Sequence, residues 1–130
     1  MPEMRLELVP LPVSDIDKAK AFYVEQCGFE ILTDHEQTSP DGVVQRVVQL
    51  NPPGSNCSVV FGTGMPEISD MTPGSQKALH LVVADMEEAR RALVAKGVDV
   101  QPVMNIADCL YAYFADADGN SWLLQQWPKK

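Results

Sequence analysis

VSDIDKAKAFYVEQCGFEI, from Val13 to Ile31, returns in altered form as VADMEEARRALVAKGVDV, from Val83 to Val100, and this pair of segments decides the architecture. At an offset of 70 residues Val13 falls on Val83, Asp15 on Asp85, Ile16 on Met86, Ala19 on Ala89 and Tyr23 on Leu93. One extra residue in the first copy then brings Gly28 onto Gly97, Phe29 onto Val98 and Ile31 onto Val100. A chain that contains itself twice is built from two structural modules. Asp15 and Asp85 stand where helix N-caps belong, since their carboxylates can accept backbone N–H bonds. Glu88, three residues after Asp85, is placed to complete a capping box. Apolar residues then recur at helical spacing, and each pattern ends at a glycine suited to the left-handed residue that stops a helix. Two amphipathic helices of about three turns are expected.

The flanking segments alternate and are broken by turn residues. In the first module SPDG at Ser39–Gly42 separates a strand near Phe29–Gln37 from another near Val43–Leu50, and a third is expected at Cys57–Phe61. In the second, strands are expected from Val98 to about Val103, over Leu110–Phe114 and over Ser121–Gln126. With a strand before each helix, each module reads βαβββ. The expectation is one α+β domain over residues 1–130, with modules at about 4–62 and 77–127 and a Pro- and Gly-rich linker at about 63–76.

Composition narrows the function classes. A formal charge of −8 with no basic run longer than a pair, such as Arg90-Arg91 or Lys129-Lys130, argues against nucleic acid and anionic membranes. The acidity reads as a solubility surface, with selection of a cationic ligand as the alternative. Charges at Glu3, Arg5 and Glu7 interrupt the opening segment, so a cytoplasmic location is expected. Cys27, Cys57 and Cys109 match no zinc spacing and suit reduced thiols. Cys27 and Cys57 read as buried and Cys109 as an accessible loop thiol.

The tandem βαβββ pattern, with PVSDIDKAKAFYVEQCGFEI, HLVVADMEEARRALVAKGVDV and FADADGNSWLLQQ, resembles the vicinal oxygen chelate superfamily of glyoxalases, bleomycin-resistance proteins and extradiol dioxygenases. In the last of these segments Ala117 replaces the proline of the family's turn. The resemblance covers essentially the whole chain. It implies a curved mixed sheet around a central cup, helices on the outer face, and a homodimer. In catalytic relatives the cup holds a divalent cation that acts as a Lewis acid on two neighbouring oxygens, held by His or carboxylate ligands. The family's ligand positions, seven residues before each capping Asp and four after the last turn glycine, fall here on Leu8, Ala78 and Leu123. None of these side chains can ligate a metal, and Asn51–Met65, where the remaining ligand would lie, has no His, Asp or Glu.

The resemblance therefore implies a cup with an apolar floor and no standard metal site, so no cofactor is expected. The candidate pocket residues are Leu8, Ala78, His80, Tyr111, Tyr113, Leu123 and Gln125. Parity puts His80 on the face of Ala78 and Gln125 on that of Leu123; Tyr111 and Tyr113 share a face that the sequence leaves undetermined. Trp122 is expected to pack under a helix and His35 to be solvated. Three functions stay open. One is a module that sequesters or carries a small organic compound, as antibiotic-binding relatives do. Another is a lyase or dioxygenase with an unusual metal site or His80 as general base. The third is a fold serving mainly as a dimerising or partner-binding surface.

Overall fold

Both capping aspartates accept the bond that their positions predict. In the computed structural model, which describes residues 1–129, Asp15 Oδ1 accepts from Lys18 N at 3.0 Å and Asp85 Oδ1 from Glu88 N at 3.1 Å. The return bond from Glu88 that would complete a capping box is not formed among the described residues. Lys130, half of the terminal basic pair, lies outside them. The first module contains β1 (Leu8–Pro10), α1 (Ile16–Ala21), β2 (Glu30–Thr38), β3 (Val44–Asn51) and β4 (Ser58–Thr63). The second contains β5 (Leu79–Val82), α2 (Met86–Ala95), β6 (Met104–Ile106), β7 (Cys109–Ala115) and β8 (Ser121–Gln126).

The extra residue of the first copy has a structural destination. α1 runs into a π-helical turn at Phe22–Gln26, closed by Cys27 N donating to Phe22 O at 3.1 Å. A π turn absorbs one residue without ending the helix. Both copies consequently finish on glycines with positive φ, Gly28 at 77° and Gly97 at 88°.

Each module forms its own mixed four-stranded sheet, in the orders β1-β4-β3-β2 and β5-β8-β7-β6. The first strand of each pairs in parallel with the last, and the other pairings are antiparallel. Val48, Leu50, Val59 and Phe61 from one sheet join Ala112, Phe114, Trp122 and Leu124 from the other in a single core with Tyr23, Phe29 and Met86 from the helical layer. Trp122 is buried against Tyr23, ring centroids 5.7 Å apart, as its place beside a helix requires.

Two expectations fail for identifiable reasons. The strand expected at Val98–Val103 forms only at Met104–Ile106. Pro102 has no N–H to give a ladder, and the Arg90 guanidinium takes the carbonyls of Val100 and Gln101 instead, at 2.8 and 3.1 Å. The cysteines are also reversed: Cys109 is buried at the start of β7, whereas Cys27 and Cys57 are only partly buried.

An ionic cluster ties α1 to its sheet. Arg46 on β3 bonds Asp34 on β2 and Asp17 on α1, and Lys20 Nζ reaches Asp34 Oδ2 at 2.6 Å. The Arg46 and Lys20 hydrogen bonds hold the Asp34 carboxyl down at about 2, against an ordinary 3.8. Because the folded value lies below the unfolded one, this stabilisation is present above about pH 4 and is lost as the pH falls towards 2. The cluster is partly solvated, so screening reduces its contribution to about 1 kcal/mol. Asp34→Asn should therefore lower the urea midpoint at pH 6 and have little effect near pH 2. Equal losses at both values would assign the effect to packing.

Candidate functional site

Strand register decides which side chains share the second sheet's uncovered face. Leu79 and Leu81 pair with Trp122 and Leu124 and turn into the core, so His80 and Val82 point the other way beside Leu123 and Gln125. Across β7 and β8, Tyr113 pairs with Leu123 and Tyr111 with Gln125, which settles the face of both tyrosines. Met104 pairs with Tyr111 and Ile106 with Cys109, extending the same face.

The result is an apolar surface with a polar seam. Val82, Ile106, Met104 and Tyr113 are 63%, 59%, 47% and 41% exposed. Gln125 is buried and donates from Nε2 to Tyr111 Oη at 3.4 Å and to Cys109 Sγ at 3.6 Å. A hydrogen bond between Cys109 and the Tyr111 phenol, and secondly desolvation, hold that phenol above its ordinary value, against the Gln125 bond that lowers it. His80 stands edge-on to Tyr111, ring centroids 6.0 Å apart. Its Nδ1 lies 2.7 Å from Ala78 O. A carbonyl can only accept, so Nδ1 carries the proton, and in the neutral ring Nε2 keeps its lone pair. Ala78 sets this contact from a left-handed backbone, φ 58°, with its N–H given to Ser121 Oγ at 2.8 Å.

Six of the seven candidate pocket residues thus belong to the second sheet or its approach. Leu8 lies apart on β1 of the first sheet, half-buried and paired with Ser58. Among the described residues no strand pair joins the two sheets, so backbone hydrogen bonding there does not close a cup between them. Sequence reasoning passed over Val82 and Cys109, which parity with His80 and Tyr111 would have found. Met104 and Ile106 were out of reach because β6 was misplaced. His35 is exposed on β2.

A family model described as the Glyoxalase/Bleomycin resistance protein/Dioxygenase superfamily matches residues 5–124. The chain belongs to this superfamily. Among solved structures, TnmS3, an antibiotic binding protein from Streptomyces sp. CB03234, is 36% identical, with 99% of each chain covered and a TM-score of 0.79. A glyoxalase/bleomycin resistance protein from the same organism is also 36% identical, covering 94% of this chain and 100% of that one, with a TM-score of 0.73. A superfamily member from Sphaerobacter thermophilus DSM 20745 is 29% identical, with 96% and 98% covered and a TM-score of 0.75. No curated protein matches the chain.

The superfamily's metal chemistry requires convergent donors. Among the described residues no three His, Cys, Asp or Glu side chains converge on a point. Leu8, Ala78 and Leu123 offer hydrocarbon at the positions where ligands are implied. The donor set does not fit a chelated cation. None of the helices among the described residues is long and apolar enough to cross a membrane.

Proposed function

We propose that this glyoxalase/bleomycin-resistance-like chain binds a largely apolar organic molecule on the open face of its second sheet and acts by sequestering or carrying it. The observation that carries the reading is the juxtaposition of exposed Val82, Met104, Ile106 and Tyr113 with the His80 ring and the Gln125–Tyr111 hydrogen bond. Apolar area supplies affinity for such a ligand, and a few fixed polar atoms orient it. The 36% identity to an antibiotic binding protein over nearly the full length supports the same class of ligand. His80 then serves as a hydrogen-bonding group through Nε2 rather than as a general base.

A homodimer fits this function. An uncovered apolar face of this kind is what a second copy would roof, making a cup from two chains where one leaves the face open. Three cysteines without a disulfide suit a reducing cytoplasm.

Titration with the neutral fluorophore N-phenyl-1-naphthylamine tests the proposal. Saturable binding is expected, with amide shifts at His80, Tyr111, Tyr113 and Leu123, unchanged by chelator or by added zinc, nickel, manganese or iron. Metal-dependent turnover abolished by chelator would replace sequestration with catalysis. Shifts that avoid this face would remove the site.

A further inference from the structure

The internal repeat allows one half of the molecule to be compared with the other. Each helix lies beside the turn between the last two strands of the opposite module, α1 beside Ala115–Asp118 and α2 beside Pro52–Ser55. At the offset of 70, Phe22 and Tyr23 correspond to Ala92 and Leu93. Register adds a second correspondence: Val9 pairs with Val59 as Leu79 pairs with Trp122, so Val59 stands where the second module has Trp122. Pro52 likewise takes the place of Asp116, each lying two residues beyond the partner of Val59 or Trp122 on the preceding strand.

Three of these differences reduce what fills the second position, and the fourth removes a charge. Beside α1, Tyr23 is fully buried, Phe22 packs edge-on to it at 4.9 Å, and Trp122 closes the interior. Beside α2, an exposed alanine, a half-buried leucine and a valine replace the three aromatic rings. A cleft of about 530 Å³ lies beside α2, bounded by Ala89, Ala92 and Leu93, by the Pro52–Ser55 turn, and by Phe114 and Leu124 of the core. This is within the size range of small-molecule sites. The cleft beside α1 has about 660 Å³, so the smaller residues change the lining of the second cleft and not its size.

Its chemistry sets it apart from the two other clefts of comparable size. Among the described residues no Asp, Glu, Lys or Arg lines it, in a chain with 22% charged residues. The depression on the outer side of α2 is lined by Asp85, Glu87, Arg90, Arg91 and Lys129, and the one beside α1 by Asp15, Lys18, Asp99, Asp116 and Asp118. We propose that the cleft beside α2 is a separate small-molecule site that takes an uncharged aromatic ring system, seated where the other module lodges its own Phe22 and Tyr23. Cys27, on the cleft wall, is pushed up to about 12 chiefly by burial, so its thiol stays protonated and adds no charge. Among the described residues Ser55 supplies the side-chain hydrogen-bonding group besides that thiol, while His80 and Val82 line the cleft from β5 with their side chains turned to the open face. The site does not depend on ligand binding at the open face.

The probes are p-cresol and indole, which reproduce the aromatic side chains that fill the corresponding position, followed by amide shifts in the full chain. Saturable shifts centred on Ala89, Ala92, Leu93 and Phe114 are expected. Ala92→Phe restores the residue type of the first module at an exposed helix position and should weaken both probes at least tenfold. N-phenyl-1-naphthylamine binding at Tyr111 and Tyr113 should persist in that variant. Ser55→Ala, measured in parallel, leaves the cleft open and should retain the probes. Shifts confined to the open face, or Ala92→Phe with undiminished affinity, would overturn the proposal. So would cleft shifts that follow protein concentration rather than probe, since they would mean that a second copy covers this region.

Discussion

Asp116→Ala should cost about 4 kcal/mol of stability, the sum of several donors stranded at one buried point. Asp116 Oδ2 accepts from Tyr23 Oη at 2.7 Å and from Asn120 Nδ2 at 2.8 Å, while Oδ1 accepts the backbone N–H groups of Asp118 and Asn120, each at 3.0 Å. Tyr23 Oη also accepts from Trp122 Nε1 at 2.9 Å, and Asn120 reaches Pro12 O and Gln76 N. One carboxylate thus joins α1, the segment after β1, the linker and the last turn. Burial first, and then the Asp116 charge, push the Tyr23 phenol far above its ordinary value, so it remains a donor at every accessible pH. Truncation to alanine removes the acceptor and leaves these donors without their protein partner at a point that is nine-tenths buried.

For a chain of this length the loss corresponds to a Tm lower by about 15 °C. Tyr23→Phe removes a single hydroxyl and should cost about 1.5 kcal/mol. In the double variant Tyr23→Phe/Asp116→Ala the losses should fall short of additive, because the two groups share one bond. Urea denaturation of the three variants measures this directly. An Asp116→Ala loss below about 1 kcal/mol would mean that the turn rearranges to satisfy its own donors.

The elements that were legible in the sequence are those fixed by local chemistry. Asp15, Asp85, Gly28 and Gly97 mark helix ends because each answers a steric or hydrogen-bonding demand of its immediate neighbours. The repeat then multiplies that information, and the unmatched residue of the first copy becomes the π turn at Phe22–Gln26. Segment Val98–Val103 reads as a strand from its pattern alone and does not form one there. Pro102 cannot donate to a ladder, and the carbonyls of Val100 and Gln101 are claimed from a distance by Arg90, a partner that periodicity does not reveal.

The candidate site was legible in a different measure. Parity along β8 put Leu123 and Gln125 together, but only the pairing of β7 with β8 fixes Tyr111 and Tyr113 beside them. Leu8 was grouped with the others through the family pattern, yet it belongs to the other sheet. Cys109 reads as accessible from a loop setting, and in the structure it does follow a turn at Ala107 and Asp108, with φ values of 52° and 68°. Its burial arises from the Gln125 and Tyr111 side chains, which arrive from residues distant in sequence. Side chains at the meeting of two modules are the least readable, since they depend on both copies at once. The cleft beside α2 is of that kind.

The second large effect is expected at Leu123, half-buried at the centre of the open face with His80 paired on one side and Tyr113 on the other. Leu123→Asp should reduce N-phenyl-1-naphthylamine affinity at the open face at least 100-fold, about 2.7 kcal/mol. An apolar ligand would have to strip water from a carboxylate and offer it no hydrogen bond in return. Folding should be nearly unaffected, because neighbouring Trp122 and Leu124 carry the core contacts of β8 while Leu123 points away from them. Leu123→Met keeps the apolar surface and should retain binding within a few-fold. The two substitutions separate the chemistry of the face from its shape. If a second copy roofs the same face, the aspartate variant will also sediment as a smaller species, and its loss of affinity will exceed that of a monomer forced by dilution. If Leu123→Asp instead binds the fluorophore as tightly as the unaltered chain, the ligand does not rest on this sheet, and the exposed Val82, Met104, Ile106 and Tyr113 must serve association between proteins alone.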